Sequence, residues 1–197
     1  MRNAYLTTLG VLAAVLTVTA LGTLVLPGLA GSVTADDDHG GPQFEAGLRG
    51  SEEVPPVDTN TRGKADFEFN RGKTELHFDL SVENGVRVTQ AHIHCGPEGQ
   101  NGPIVLFLAG FHDKGWDVDG NWIGDATATD ANITNNACGS TLAELEQAMA
   151  DGRTYANIHT VAHQGGEARG QIQSDGDNGD GNGNDDHSGG NGRHEDD

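Results

Sequence analysis

Alternation of apolar and polar positions is the plainest signal along this chain. In LHFDLSV (76–82), Leu76, Phe78, Leu80 and Val82 point one way and His77, Asp79 and Ser81 the other; ADFEF (65–69) repeats the pattern. A period of two marks a half-buried strand. Asn70-Arg71-Gly72 between these runs suits a short hairpin connection. IVLFL (104–108), bounded by Pro103 and Gly110, reads as a strand covered on both faces. TYANIHTV (154–161) and EARGQIQ (167–173) alternate again, with His163-Gln164-Gly165-Gly166 as their turn. One stretch is helical in pattern, TLAELEQAMADG (141–152). Ser140 or Thr141 caps it, Glu144 closes a capping box and Gly152 ends it. Short strands, Gly/Pro turns and a single short helix predict an all-β domain, a β-sandwich or flattened barrel.

The ends of the chain differ from this middle. An apolar stretch from about Ala4 to Ala30 leads to Val33 and Ala35, small residues at −3 and −1 of a signal-peptidase cut before Asp36. The alternative is an uncleaved anchor, since the stretch could span a bilayer core of roughly 30 Å. Either reading puts the rest of the chain outside the cytoplasm, as a secreted or cell-surface protein. Residues 36–42 form a polar lead-in and 43–173 the domain. The tail 174–197, with Asp, Asn and Gly throughout and no large apolar residue, is expected to be disordered. Neither DGDNGDGNGNDD nor DVDGNWIGD has the ligand frame of an EF-hand calcium loop.

Charge narrows the partners. The formal net charge is −19 over 197 residues, which repels nucleic acid and anionic lipid. Contact with a membrane is expected only through an uncleaved N-terminal segment. The two cysteines, Cys95 and Cys138, are expected to pair in an exported protein. The competing reading makes Cys95 a soft metal ligand and leaves Cys138 as a free thiol.

Candidate chemistry lies in QAHIHCGPEGQNGPIVLFL (90–108) and NIHTVAHQGGEARG (157–170). On a strand, residues two apart share a face, so His92 and His94 project together and can chelate one transition metal. His159 and, at the following turn, His163 extend the set if the two segments are neighbours. Glu167 and Arg169 then supply a carboxylate and a guanidinium, either as a supporting shell that steers an anion or as ion pairs with neighbouring residues. His77 and His112 read as surface residues. His39, His187 and His194 lie in the acidic ends. No serine has a nucleophile-elbow setting, and Asn132-Ile133-Thr134 is an N-glycosylation sequon.

FEAGLRGSEEVPPVDTNTRGKADFEF, QAHIHCGPEGQNGPIVLFL and LEQAMADGRTYANIHTVAHQGGEARGQI resemble the signatures of the CHRD domain, a module named from chordin and also found singly in exported microbial proteins. The resemblance implies an extracytoplasmic β-sandwich of Ig-like or superoxide-dismutase-like type. The stretch from Gly110 to Asn136 looks longer than a minimal linker and is a place for specificity of this member's own. A more distant likeness is to copper/zinc superoxide dismutases, through HIHCG and the later His159 and GGEARGQI; a bridging histidine and the zinc loop of that family are missing.

These observations predict an exported binding module that holds copper or zinc through His92, His94 and His159, with His163 as a candidate fourth ligand. The rivals are a superoxide dismutase-like copper redox enzyme, with Arg169 steering the anion, and a structural or adhesive module whose partner is an extracellular protein.

Overall fold

The strand that LHFDLSV opens runs much further than its alternation predicts. In the computed structural model, which describes residues 40–175, it continues as β3 from Leu76 to Cys95. Its first half pairs with β2 (Arg62–Phe69) and β5 (Trp116–Ala128). Its second half pairs with β4 (Ile104–Ala109) and β6 (Thr154–Thr160). The register shifts between Val82 and Val88, where Asn84 (φ 54°) and Arg87 (φ 52°) take left-handed backbone. Gly85 sits at this corner, and a Cβ there would stand 2.8 Å from both Val82 Cγ1 and Val88 Cγ2.

The bend lets one strand serve two walls. The order β2-β1-β7-β6-β3 closes on itself through the β2–β3 pairing, with β1 at Gln43–Arg49 and β7 at Ala168–Gln171. All these pairings are antiparallel. The fold is thus all-β, a closed barrel with outer strands rather than an open sandwich. Closure removes the free edges of the five wall strands, while β4 and β5 add to β3 on the outside and the short β8 (Gln173–Ser174) adds to β1.

Alternation decides what fills the barrel. Phe44, Ala46 and Leu48 of β1, Ala65, Phe67 and Phe69 of β2, and Leu76, Phe78, Leu80 and Val82 of β3 are all buried, with Ile93 and Ile158. Each large side chain removed from water contributes about 1.5–3 kcal/mol. The helix α1 (Leu142–Ala150) adds Leu142, Leu145 and Met149 to the same core. Its N-cap is Thr141, and the capping box with Glu144 is formed as the sequence predicts.

Four expectations differ from what is found. The long stretch after Gly110 contains β5, a thirteen-residue strand, not a loop alone. TYANIHT is buried at all seven positions instead of alternating, because a polar layer covers its outer face. IVLFL is not covered throughout: Phe107 is 43% exposed. His77 and His112 are half-buried; His77 bonds Thr127 Oγ1 and His112 stacks on Trp116.

The apolar N-terminal stretch and its cleavage site, most of the polar lead-in and nearly all of the acidic tail lie outside the described residues, as do His39, His187 and His194. Among the described residues no helix is long and apolar enough to cross a membrane.

Candidate metal centre

The pairing of β3 with β6 sets Gln90 opposite His159, His92 opposite Asn157 and His94 opposite Tyr155. Directly opposed side chains lie on one face of a sheet, so all of these share the outer face of the barrel wall. His92, His94 and His159 converge there, with one candidate ligand atom from each lying within 4.8 Å of the others. All three are buried; His92 is 0% exposed. The Phe107 ring meets His92 edge-on, 4.5 Å between centroids. His163 is not part of this group. It is half-buried in the following turn, where its backbone N–H donates to Thr160 Oγ1.

Hydrogen bonds fix which nitrogen carries each proton. His94 Nδ1 lies 2.9 Å from the Gly102 carbonyl oxygen, and His159 Nδ1 lies 2.9 Å from that of Gln164. A carbonyl only accepts, so both rings are Nδ1–H tautomers and their Nε2 atoms carry lone pairs. The Nε2 of His94 is buried with no hydrogen-bond partner. The Nε2 of His159 faces His92 Nδ1 at 3.1 Å, so His92 Nδ1–H is the donor there.

Burial keeps the rings neutral. It pushes His92 from 6.5 down to about 3, helped by the neighbouring His159 and His94. Burial also takes His94 down to about 4, against the bond to Gly102 that favours its charged form. His159 is lowered by burial as well. Neutral imidazoles are the form that ligates copper and zinc.

A second layer holds these rings in place. Tyr155 stacks on His94 with ring centroids 4.8 Å apart, and the Arg169 Cζ lies 3.5 Å from the Tyr155 ring centroid. The Tyr155 hydroxyl accepts from Gly102 N–H, and the Gly102 carbonyl is the one that orients His94. Gly102 admits no side chain, since a Cβ would fall 1.7 Å from the Cys95 carbonyl oxygen. Arg169, 2% exposed, donates to Asn101 Oδ1 and to the Pro97 and Gln100 carbonyls. Asn101 in turn donates to the Val54 carbonyl. The guanidinium therefore clamps the 96–103 loop.

Glu167 and Arg169 do not pair with each other. Glu167 accepts from the hydroxyls of Thr59, Thr61 and Thr160. Burial alone would raise this carboxyl, but the three hydroxyls outweigh it and hold its pKa below the usual range. Glu53 is the opposite case: burial raises it from 4.5 to about 7 despite the nearby Arg169. Asn157 Nδ2 donates to Glu53 Oε2 at 3.5 Å, while Glu53 Oε1 and Asn157 Oδ1 are buried without partners. The sequence does not single out Glu53 or Tyr155; the period of two was the one available pointer to Tyr155.

Cys95, next to His94, is bonded to Cys138 with Cα atoms 5.5 Å apart. That removes the thiolate-ligand alternative. Asn132 is exposed, and its Oδ1 accepts from Thr129 N–H at the start of a single 3₁₀ turn.

A closed, disulfide-linked β-barrel with a buried histidine cluster on its wall is the class of protein that the fold and the site define. Residues 44–172 match the CHRD domain, and the chain belongs to that family, whose domain is of extracellular type and points to a binding module. The segments EVPP, AHIH, NGP, NIHT and GGEARGQ all lie in or around the polar layer just described. No curated protein and no solved structure matches the chain, so the likeness to copper/zinc superoxide dismutases rests on the quoted motifs alone.

Proposed function

We propose that this protein is a secreted or cell-surface metal-binding module that holds one copper or zinc ion through His92, His94 and His159. The observation that carries this reading is the convergence of three buried, neutral imidazoles within 4.8 Å, two of them presenting Nε2 lone pairs inward. Left without a partner in a buried site, the Nε2 of His94 costs roughly 1–3 kcal/mol; a bound ion removes that cost. For an all-nitrogen site the affinity order favours Cu(II) over Zn(II). The redox-enzyme reading loses its anion-steering group, because Arg169 is spent on the loop.

Metal content tests this reading. The chain, purified without a histidine tag and dialysed with copper or zinc, is expected to retain about one ion per chain by plasma mass spectrometry. The His92→Ala/His94→Ala variant is expected to lose it while keeping its circular dichroism spectrum. Retention of no metal by the wild-type protein makes AHIH a structural strand and turns the search to extracellular protein partners. Exposed Phe107, Phe111 and Trp116 would then be the first surface to probe.

A further inference from the structure

We propose that the ion enters this site by displacing a proton that bridges two of its ligands, so that His92 changes tautomer when metal binds. The inference rests on the metal-site reading above and names the atoms through which it works. In the metal-free protein His92 Nδ1–H donates to His159 Nε2 across 3.1 Å. No other assignment satisfies both contacts of His159, because its single proton is held on Nδ1 by the Gln164 carbonyl. A neutral imidazole has one proton, so the Nε2 of His92 bears a lone pair.

His92 offers the ion only one of its two nitrogens. Because Nδ1 is aimed at His159, the ring turns Nε2 away from that partner. The 3.1 Å separation of His92 Nδ1 and His159 Nε2 is close to that of two nitrogens bound to one ion at about 2.0–2.1 Å each. The ligand set is therefore His92 Nδ1, His94 Nε2 and His159 Nε2, and the His92 proton stands where the ion must go. Moving it to Nε2 leaves the ring neutral and the proton count unchanged: one N–H bond breaks at Nδ1 and one forms at Nε2.

The structure holds an acceptor for that proton. Asn157 is directly opposite His92 on β6, and its Oδ1 is buried without a donor, as is the His92 Nε2 itself. In the metal-free state neither atom has a hydrogen-bond partner. In the metal-bound state Nε2–H becomes the donor that Asn157 Oδ1 lacks. Asn157 is thus a positioning residue, the outer partner that fixes a metal-bound imidazole in one tautomer.

Nitrogen-15 NMR on the full chain, labelled at histidine and titrated with zinc, tests this, with His92→Gln used to assign the His92 signals. The proton-bearing signal of His92 is expected to move from Nδ1 to Nε2 at one equivalent, while His94 and His159 keep Nδ1–H. Zinc binding with His92 still protonated at Nδ1 overturns the inference and leaves the metal site standing. Zinc that leaves all three ring spectra unchanged overturns the metal reading itself, and this inference with it. Asn157→Leu is expected to weaken zinc binding by about 10-fold or more and to shift the His92 Nε2–H signal out of its hydrogen-bonded range. An unchanged signal in that variant removes Asn157 from the role.

Discussion

His92 Nδ1 lies 3.1 Å from His159 Nε2, although the two residues are sixty-seven positions apart in the chain. The contact exists because β3 bends at Gly85 and its second half then pairs with β6. Two further loops, each by a single carbonyl, set the other ring nitrogens. The barrel thus supplies position, and the loops supply the tautomer.

Acid is expected to destabilise the metal-free protein well before most carboxylates are protonated. His92 and His94 have native pKa values of about 3 and 4 against 6.5 unfolded, and His159 is lowered too. Below pH 6.5 the unfolded chain therefore binds more protons than the native one, and stability falls as pH drops toward 4. Each fully engaged histidine contributes a slope of about 1.4 kcal/mol per pH unit. Glu167, lowered in the native state, adds loss in the same direction, and Glu53 opposes it. Urea unfolding in the presence of a chelator at pH 7, 5.5 and 4.5 reads this slope. A flat profile across that range would mean that the three rings are not held neutral.

Much of the barrel was legible because its strands have one wet and one dry face, as in Leu76–Val82. The helix was legible because Thr141 and Glu144 spell a capping box. Trp116–Ala128 was not, since exposure on both sides leaves no alternation and Gly120 and Gly124 argue against a strand. The run through Glu83–Gln90 was hidden by a corner that only backbone conformation reveals. At the site, spacing placed His92 and His94 on one face. Bringing His159 to them required the long-range β3–β6 register. The Gly102 and Gln164 carbonyls that choose the tautomers have no side-chain signal at all.

Glu53→Gln is expected to stabilise the protein at pH 8 by on the order of 1 kcal/mol. The native pKa of Glu53 is raised by burial to about 7, above its unfolded value of 4.5. Its contribution is therefore complete below pH 4.5 and is lost as pH rises through 7. Glutamine has the same shape, bears no charge and can donate toward the unpartnered Asn157 Oδ1. The gain should vanish by pH 5, where the native carboxyl is already protonated. Thermal melts at the two pH values give the comparison. A variant that is destabilised equally at both would show that the carboxylate is stabilised by Arg169 more than burial disfavours it.

Arg169→Lys is expected to fail as a conservative replacement. The guanidinium reaches three acceptors on the 96–103 loop, Asn101 Oδ1 and the Pro97 and Gln100 carbonyls, while lying over the Tyr155 ring. An ammonium is a compact charge without the planar fork that this arrangement uses. The loop carries Gly102, whose carbonyl orients His94, so loosening it should reach a ligand that Arg169 never touches. Loss of such outer support typically weakens metal binding 10–100-fold. Competition with a chromophoric zinc chelator measures the affinity, and circular dichroism confirms that the barrel remains folded. Wild-type affinity in a folded Arg169→Lys protein would separate the loop clamp from the histidine centre and leave Arg169 a purely structural part.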